Sequence, residues 1–158
     1  KCNCEVCLMI DINLHEFHSQ LKVRSEGNTK FIWDPLRKKY LVPQPEELVR
    51  QLLILYLTQK LDYPISRIQV EKSLKVFGQN KRYDIIVYDQ DIKPYLLIEC
   101  KSHKEPINQS VLDQASRYNI TLNAPYLLVT NGVQTYCCAI DKGNKKVKFL
   151  REVPNYND

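Results

Sequence analysis

Asp84, and the pair Glu99 and Lys101 two residues apart, are the side chains of this sequence best placed to do chemistry. They stand at the edges of two apolar runs, Ile85-Ile86-Val87-Tyr88 and Tyr95-Leu96-Leu97-Ile98. The runs read as neighbouring strands joined by a turn at Asp89-Gln90-Asp91, which would set the two acids side by side. Residues i and i+2 of a strand share a face, so Lys101 would reach whatever Glu99 holds. Cys100 would turn into the core and offer its carbonyl. Such a group fits metal-dependent cleavage of a phosphodiester. That reaction needs an activated water and neutralised charge on phosphorus, and divalent ions held by carboxylates supply both. Magnesium takes oxygen ligands and retains several waters, so two or three acids suffice, with manganese as its substitute.

Spacing alone is weak, because Asp91-Ile92-Lys93 repeats the acid-x-lysine triplet. Context separates the two. Asp91 lies in a polar turn before Pro94, where charges are solvated. Glu99 ends four apolar residues, where a charge is costly unless it serves a purpose. A strand-end ion pair would account for Glu99 and Lys101 about as well. Gln114 and Tyr118 favour the chemical reading, since they lie four residues apart on one face of a helix that follows the Glu99 strand. The plain alternative for them is a core tyrosine with a glutamine at the rim.

The elements that must position these residues follow from pattern. Gly27-Asn28 signals a turn, Lys30-Phe31-Ile32-Trp33 a short strand, and Asp34-Pro35 its end. A helix is predicted over Glu46–Lys60, with Leu48, Val49, Leu52, Leu53, Leu55 and Tyr56 on one side and Pro45 at its start. Three strands follow, Ile68–Leu74, Tyr83–Tyr88 and Tyr95–Cys100, with a turn at Gly78–Lys81 between the first two. A second helix is predicted over Ile107–Leu122. Tyr126-Leu127-Leu128-Val129 is wholly apolar and should lie centrally in a sheet. Thr135–Ile140 and Lys146–Leu150 complete a hairpin. The fold class is α/β, a mixed central sheet flanked by helices, with an αβββαβ core and an extra C-terminal hairpin.

Asp84, then Glu99-Cys100-Lys101, then Gln114 and Tyr118 together resemble the PD-(D/E)XK nuclease superfamily, with its restriction-endonuclease-like fold. The Q-x-x-x-Y element points to the RecB-like branch, and within it to the N-terminal nuclease domain of type I restriction enzyme R subunits. The resemblance runs over roughly residues 34 to 150. It implies that Asp84 and Glu99 are metal ligands and Lys101 the catalytic lysine, and that Gln114 and Tyr118 position the lysine or the DNA backbone. It also implies a metal-side glutamate from the first helix. Glu46 and Glu47 both qualify, and spacing from Arg50 and Leu53 favours Glu46, while compensation of the helix dipole would explain either. Tyr83 stands where the superfamily name has proline. The resemblance implies a magnesium-dependent DNA endonuclease leaving 5′-phosphate and 3′-hydroxyl ends. Double-stranded DNA, and modification, specificity or motor subunits, would be its partners in the cytoplasm. No G-x-x-x-x-G-K-[ST] phosphate loop of a motor occurs in the sequence. A nucleic-acid-binding or assembly module that keeps the fold without cleaving is the alternative.

The bulk numbers agree with one domain. The chain has 158 residues, 44% apolar and 26% charged, with a net charge of +5. That mild basicity permits a nucleic-acid partner without requiring one. No apolar run approaches the roughly 20 residues of a membrane span. Residues 1–9 read as a tag or an extended start, and 10–158 as a single nuclease-like domain with its core at 42–140. Cys2, Cys4 and Cys7 raise a distant zinc-binding reading, for which His15 or His18 would have to complete the set. Cys100, Cys137 and Cys138 read as buried thiols. His103 is placed to touch phosphate. Lys22, Arg24, Lys30, Arg37, Lys38 and Lys39 flank Phe31 and Trp33, a pattern of either backbone binding or a solvated edge with two core anchors.

Overall fold

The computed structural model describes residues 8–143 and 146–156. Its centre is a six-stranded sheet in simple sequence order. The strands are β4 (Ile68–Val76), β5 (Gln79–Tyr88), β6 (Pro94–Cys100), β7 (Tyr126–Thr130), β8 (Thr135–Asp141) and β9 (Lys146–Leu150). The β6–β7 pair is parallel and the other neighbours are antiparallel. A parallel neighbour needs a crossover, and helix α2 (Gln109–Leu122) provides it. Helix α1 (Pro45–Leu55) covers the other face. The sheet is thus mixed and flanked by helices on both sides, with β8–β9 as the C-terminal hairpin.

Two-sided cover explains the unbroken apolar run of β6. Leu96 and Ile98 pack with Ile85, Val87 and Leu128 against Val49, Leu53 and Ile54 of α1. Leu97 turns the other way, with Ile86, Leu127 and Val129, against Ala115 and Leu122 of α2. All of these side chains are buried, each worth roughly 1.5–3 kcal/mol if large and aliphatic. Asn108 caps α2 by accepting from Val111 N–H at 3.1 Å, so the helix starts two residues later than the pattern predicts. Helix α1 passes into a π turn over Tyr56–Lys60, where Thr58 Oγ1 donates back to the Ile54 carbonyl at 2.8 Å.

The N-terminal region departs from its single predicted strand. It forms a separate three-stranded antiparallel sheet of β1 (Val23–Glu26), β2 (Thr29–Asp34) and β3 (Lys39–Leu41), preceded by a 3-10 helix at Leu14–Gln20. Phe31 and Trp33 are not core anchors. They pack into neither hydrophobic cluster, and Arg24 and Lys22 lie over their rings. Cys2, Cys4 and Cys7, and the zinc reading with them, lie outside the described residues. Among the described residues no helix is long and apolar enough to cross a membrane.

Candidate active site

The register of the sheet brings the two acids together. β5 and β6 pair at Ile85–Ile98, and one step further the same register sets Asp84 opposite Glu99. There the strands part, and the N-terminal half of β5 continues paired with β4 alone. Side-chain alternation also breaks at this point. Ile85 faces α1, yet Tyr83 belongs to the α2-side core, and Asp84 reaches Arg50 on α1. The β4–β5 ladder lapses at the same place, between Val70–Ile85 and Lys72–Tyr83. The unpaired partner of Asp84 is Glu71, held at φ 54°, a left-handed conformation that L residues adopt at a cost.

Asp84 is held from both sides. Its Oδ2 accepts from Cys100 N–H at 2.8 Å, and its Oδ1 lies 3.2 Å from Arg50 Nη2. Glu99 is 7% exposed, and its Oε1 has no hydrogen-bond partner. Burial, then the charge and hydrogen bond of Asp84, push its carboxyl up to about 8, against the opposing pull of Lys81 and Lys101. Glu46 is raised as well, by burial and by Asp84, with Arg50 and Lys101 opposing. It lies 3.7 Å from Arg50 with its side chain 44% exposed. Glu47 points elsewhere: it pairs with Arg37 and Arg50 and accepts from Gln51 Nε2 at 3.0 Å. The Cys100 thiol is fully buried and raised well above its ordinary value, first by burial and then by Asp84. It therefore stays protonated, and the carbonyl is the group this residue can offer.

On the α2 side, Glu99, Lys101, Gln114 and Tyr118 line one narrow cleft with Val111 and Ala115. Its volume, about 10 Å³, leaves room for about a single water. Lys101 is fixed at the end of β6 by its N–H, which donates to the Thr130 carbonyl at 2.8 Å. Gln114 Nε2 donates to Tyr118 Oη at 3.1 Å. The end of β6 and the helix that follows it thus meet across one cleft. His103 lies exposed in the loop after β6. His15 and His18 sit together on the 3-10 helix, their rings 5.8 Å apart.

Several charged residues at the site escape a reading of the sequence. Arg50 is 4% exposed and touches Glu47, Glu71 at 3.4 Å and Asp84 at 3.2 Å. Burial opposes its charge, and Glu47 and Asp84 outweigh that and keep it a cation. Its signal was a charged residue between Val49 and Leu52 on the apolar side of a helix. Arg37 joins Asp34, Glu47 and, at 3.2 Å, Glu71. Lys81 stands 3.8 Å from the centre of the Tyr118 ring. No pattern marks it, since its place depends on how β5 twists beyond Asp84.

The donors fit a hard divalent cation. They are carboxylate and carbonyl oxygens, and one of them, Glu99 Oε1, is buried and unpartnered. Among the described residues, His, Cys, Asp and Glu side chains form no group of three or more arranged to hold a metal. Asp84 and Glu99 are a pair, with Glu46 drawn toward Arg50.

Comparison with known proteins assigns the sequence to a family. No curated protein matches the sequence. The fold is similar to a solved structure assigned as a fragment of an HsdR subunit of a type I restriction enzyme from Vibrio vulnificus YJ016, with a TM-score of 0.52 and 18% identity. The likeness covers 71% of this chain and 24% of that one, so this chain spans about a quarter of its length. Residues 45–154 match the family described as Type I restriction enzyme R protein N terminus. That stretch takes in α1, the whole central sheet and every residue lining the cleft, and by it the chain belongs to the Type I restriction enzyme R protein N-terminal family, a family of restriction nucleases.

Proposed function

We propose that this chain is a metal-dependent endonuclease that hydrolyses a phosphodiester of double-stranded DNA. The observation that carries the reading is the buried, unpartnered Glu99 Oε1 beside the Asp84 carboxylate. Two acids in contact, one buried and one half-buried, are unfavourable as a pair of anions and favourable around a divalent cation. Asp84, Glu99 and Glu46, with the Cys100 carbonyl, are the groups that would hold magnesium, or manganese in its place. Glu47 remains with Arg37 and Arg50. The ion, when bound, supplies positive charge beside the phosphate and eases deprotonation of water. Lys101 orients that water in the cleft and steadies the charge that grows on the phosphate oxygens. Gln114, hydrogen-bonded to Tyr118, positions the lysine or the DNA backbone. Arg50 and the Cys100 N–H hold the Asp84 carboxylate in place before any ligand arrives. The reading brings with it other subunits of a restriction complex as partners and the cytoplasm as location.

The test is supercoiled plasmid with Mg²⁺ or Mn²⁺, comparing the wild type with Asp84→Ala and Lys101→Ala. Metal-dependent nicking should fall on the order of 100-fold or more in both variants. Equal nicking by all three would show a contaminant and end the proposal. The ion pair of Arg50 with Asp84 favours a second reading, a nucleic-acid-binding or assembly module in which a protein cation stands where metal would act. Salt-sensitive DNA binding without metal-dependent nicking would identify it.

A further inference from the structure

Beyond Asp84, β4 and β5 leave the sheet as a two-stranded arm, residues 72–82, closed by Phe77-Gly78 between the paired Val76 and Gln79. This two-residue turn is shorter than the predicted one, and β5 begins at Gln79. The arm carries Lys72, Lys75, Lys81 and Arg82 and no acidic residue. One face leans on α2: Val76 and Tyr83 are buried with Leu74 in the α2-side core, and Tyr83 Oη donates to the Tyr118 carbonyl at 2.8 Å. The other face presents Ser73, Lys75, Asn80 and Arg82 to solvent. Glu71 at the root lies 3.7 Å from Arg82.

Phe77 at the tip is the anomaly. It is 74% exposed, an apolar ring with no core to enter. It also has φ 51°, and Gly78 follows at φ 78°. Two positive φ angles are the pattern of a type I′ turn, whose first central position favours asparagine, aspartate or glycine. A bulky residue there is strained, and strain without packing asks for another explanation. Inserted apolar side chains beside basic residues kink duplexes by parting base steps, and the arm offers that chemistry next to the cleft.

We propose that the 72–82 hairpin is a DNA-contacting arm whose cations hold the backbone and whose Phe77 ring wedges between base pairs of the substrate beside the cleft. The proposal rests on double-stranded DNA as the substrate, and its test uses no metal. The full chain in EDTA is titrated with a duplex carrying 2-aminopurine at several steps, read by anisotropy and by 2-aminopurine emission. The wild type should bind and raise the emission as steps unstack. Phe77→Ala should still bind, about tenfold more weakly or less, and lose the rise. Phe77→Asn should melt at or above the wild-type temperature, because the turn is relieved, and lose the rise as well. That opposite pair of effects separates a wedge from a folding defect. The double variant Lys75→Gln/Arg82→Gln should weaken binding and flatten its salt dependence by roughly two contacts' worth.

Emission that rises equally in Phe77→Ala and the wild type would overturn the wedge. So would an unchanged salt slope in the lysine–arginine variant. Binding of the wild type to anionic phosphatidylserine vesicles, but not to duplex, would assign the basic, apolar tip to a membrane surface and overturn it too. Duplex unstacking without any metal-dependent nicking would leave the arm standing and sink the nuclease reading alone. Nicking that depends on Asp84 without unstacking would do the reverse.

Discussion

Glu99 shows how one residue carries both the proposed chemistry and its cost. Its place at the end of an apolar strand is legible in the sequence, and unlike Asp89 and Asp141, which also follow apolar runs, it is followed two residues on by the cleft-lining Lys101. Arg50, the partner of Asp84, is harder to read, because a single arginine on an apolar helix side has many uses. Lys81 is not legible at all. The raised Glu99 carboxyl has a definite consequence for stability. It is protonated in the folded chain and ionised in the unfolded chain from about 4.5 up to about 8, so the unfolded state binds fewer protons across that window. Stability without divalent ions should therefore fall as pH rises through it. Glu99→Gln should flatten the slope and stabilise the metal-free protein at pH 8 by roughly 2–4 kcal/mol, measured by urea unfolding in EDTA. Parallel pH profiles for the two proteins would show that the Glu99 proton is not shared between folding and ionisation in this way.

At the scale of elements, the apolar runs fixed the strands of the central sheet because burial on both faces leaves no room for polar interruption. The two helices were legible from their amphipathic spacing. Of the N-terminal sheet only β2 and the turn before it were legible, since β1 is exposed along its whole length and carries no apolar alternation to read. The tip of the β4–β5 hairpin was misread because a phenylalanine stands where turn chemistry would put asparagine. The turn after β7 ties α1 to the sheet. Asn131 Oδ1 accepts from Val133 and Gln134 N–H, and Gly132 sits at φ 89° with the place of its missing Cβ 3.3 Å from Val49 Cγ2. Gly132→Ala meets both the left-handed backbone and the side chain of α1. It should cost about 1–3 kcal/mol, seen as a lowered thermal midpoint.

At the scale of the whole molecule, residues 153–156 are folded back onto the middle of the chain. Tyr63 Oη donates to the Pro154 carbonyl at 2.6 Å, and Tyr95 Oη to the Asn155 carbonyl at 2.7 Å. Tyr156 Oη donates to the Tyr88 carbonyl at 2.9 Å, and Val153 is buried in the α1-side core. Tyr63 and Tyr95 give no sequence signal, because their partners are backbone carbonyls of a segment without regular structure. Ending the chain after Glu152 should destabilise the protein by about 3 kcal/mol in denaturant unfolding, from the lost hydrogen bonds and the exposed valine. The lapse in pairing at Glu71 and Asp84 bears on motion rather than on holding together. It cuts one long hairpin into two ladders, a root that is part of the six-stranded sheet and an outer length tied to the rest through Val76 and Tyr83 against α2, and backbone amide exchange should be faster in the outer ladder than in the root. Asp84 lies on the boundary, so the acid on which the proposed chemistry depends stands at the joint between the two ladders.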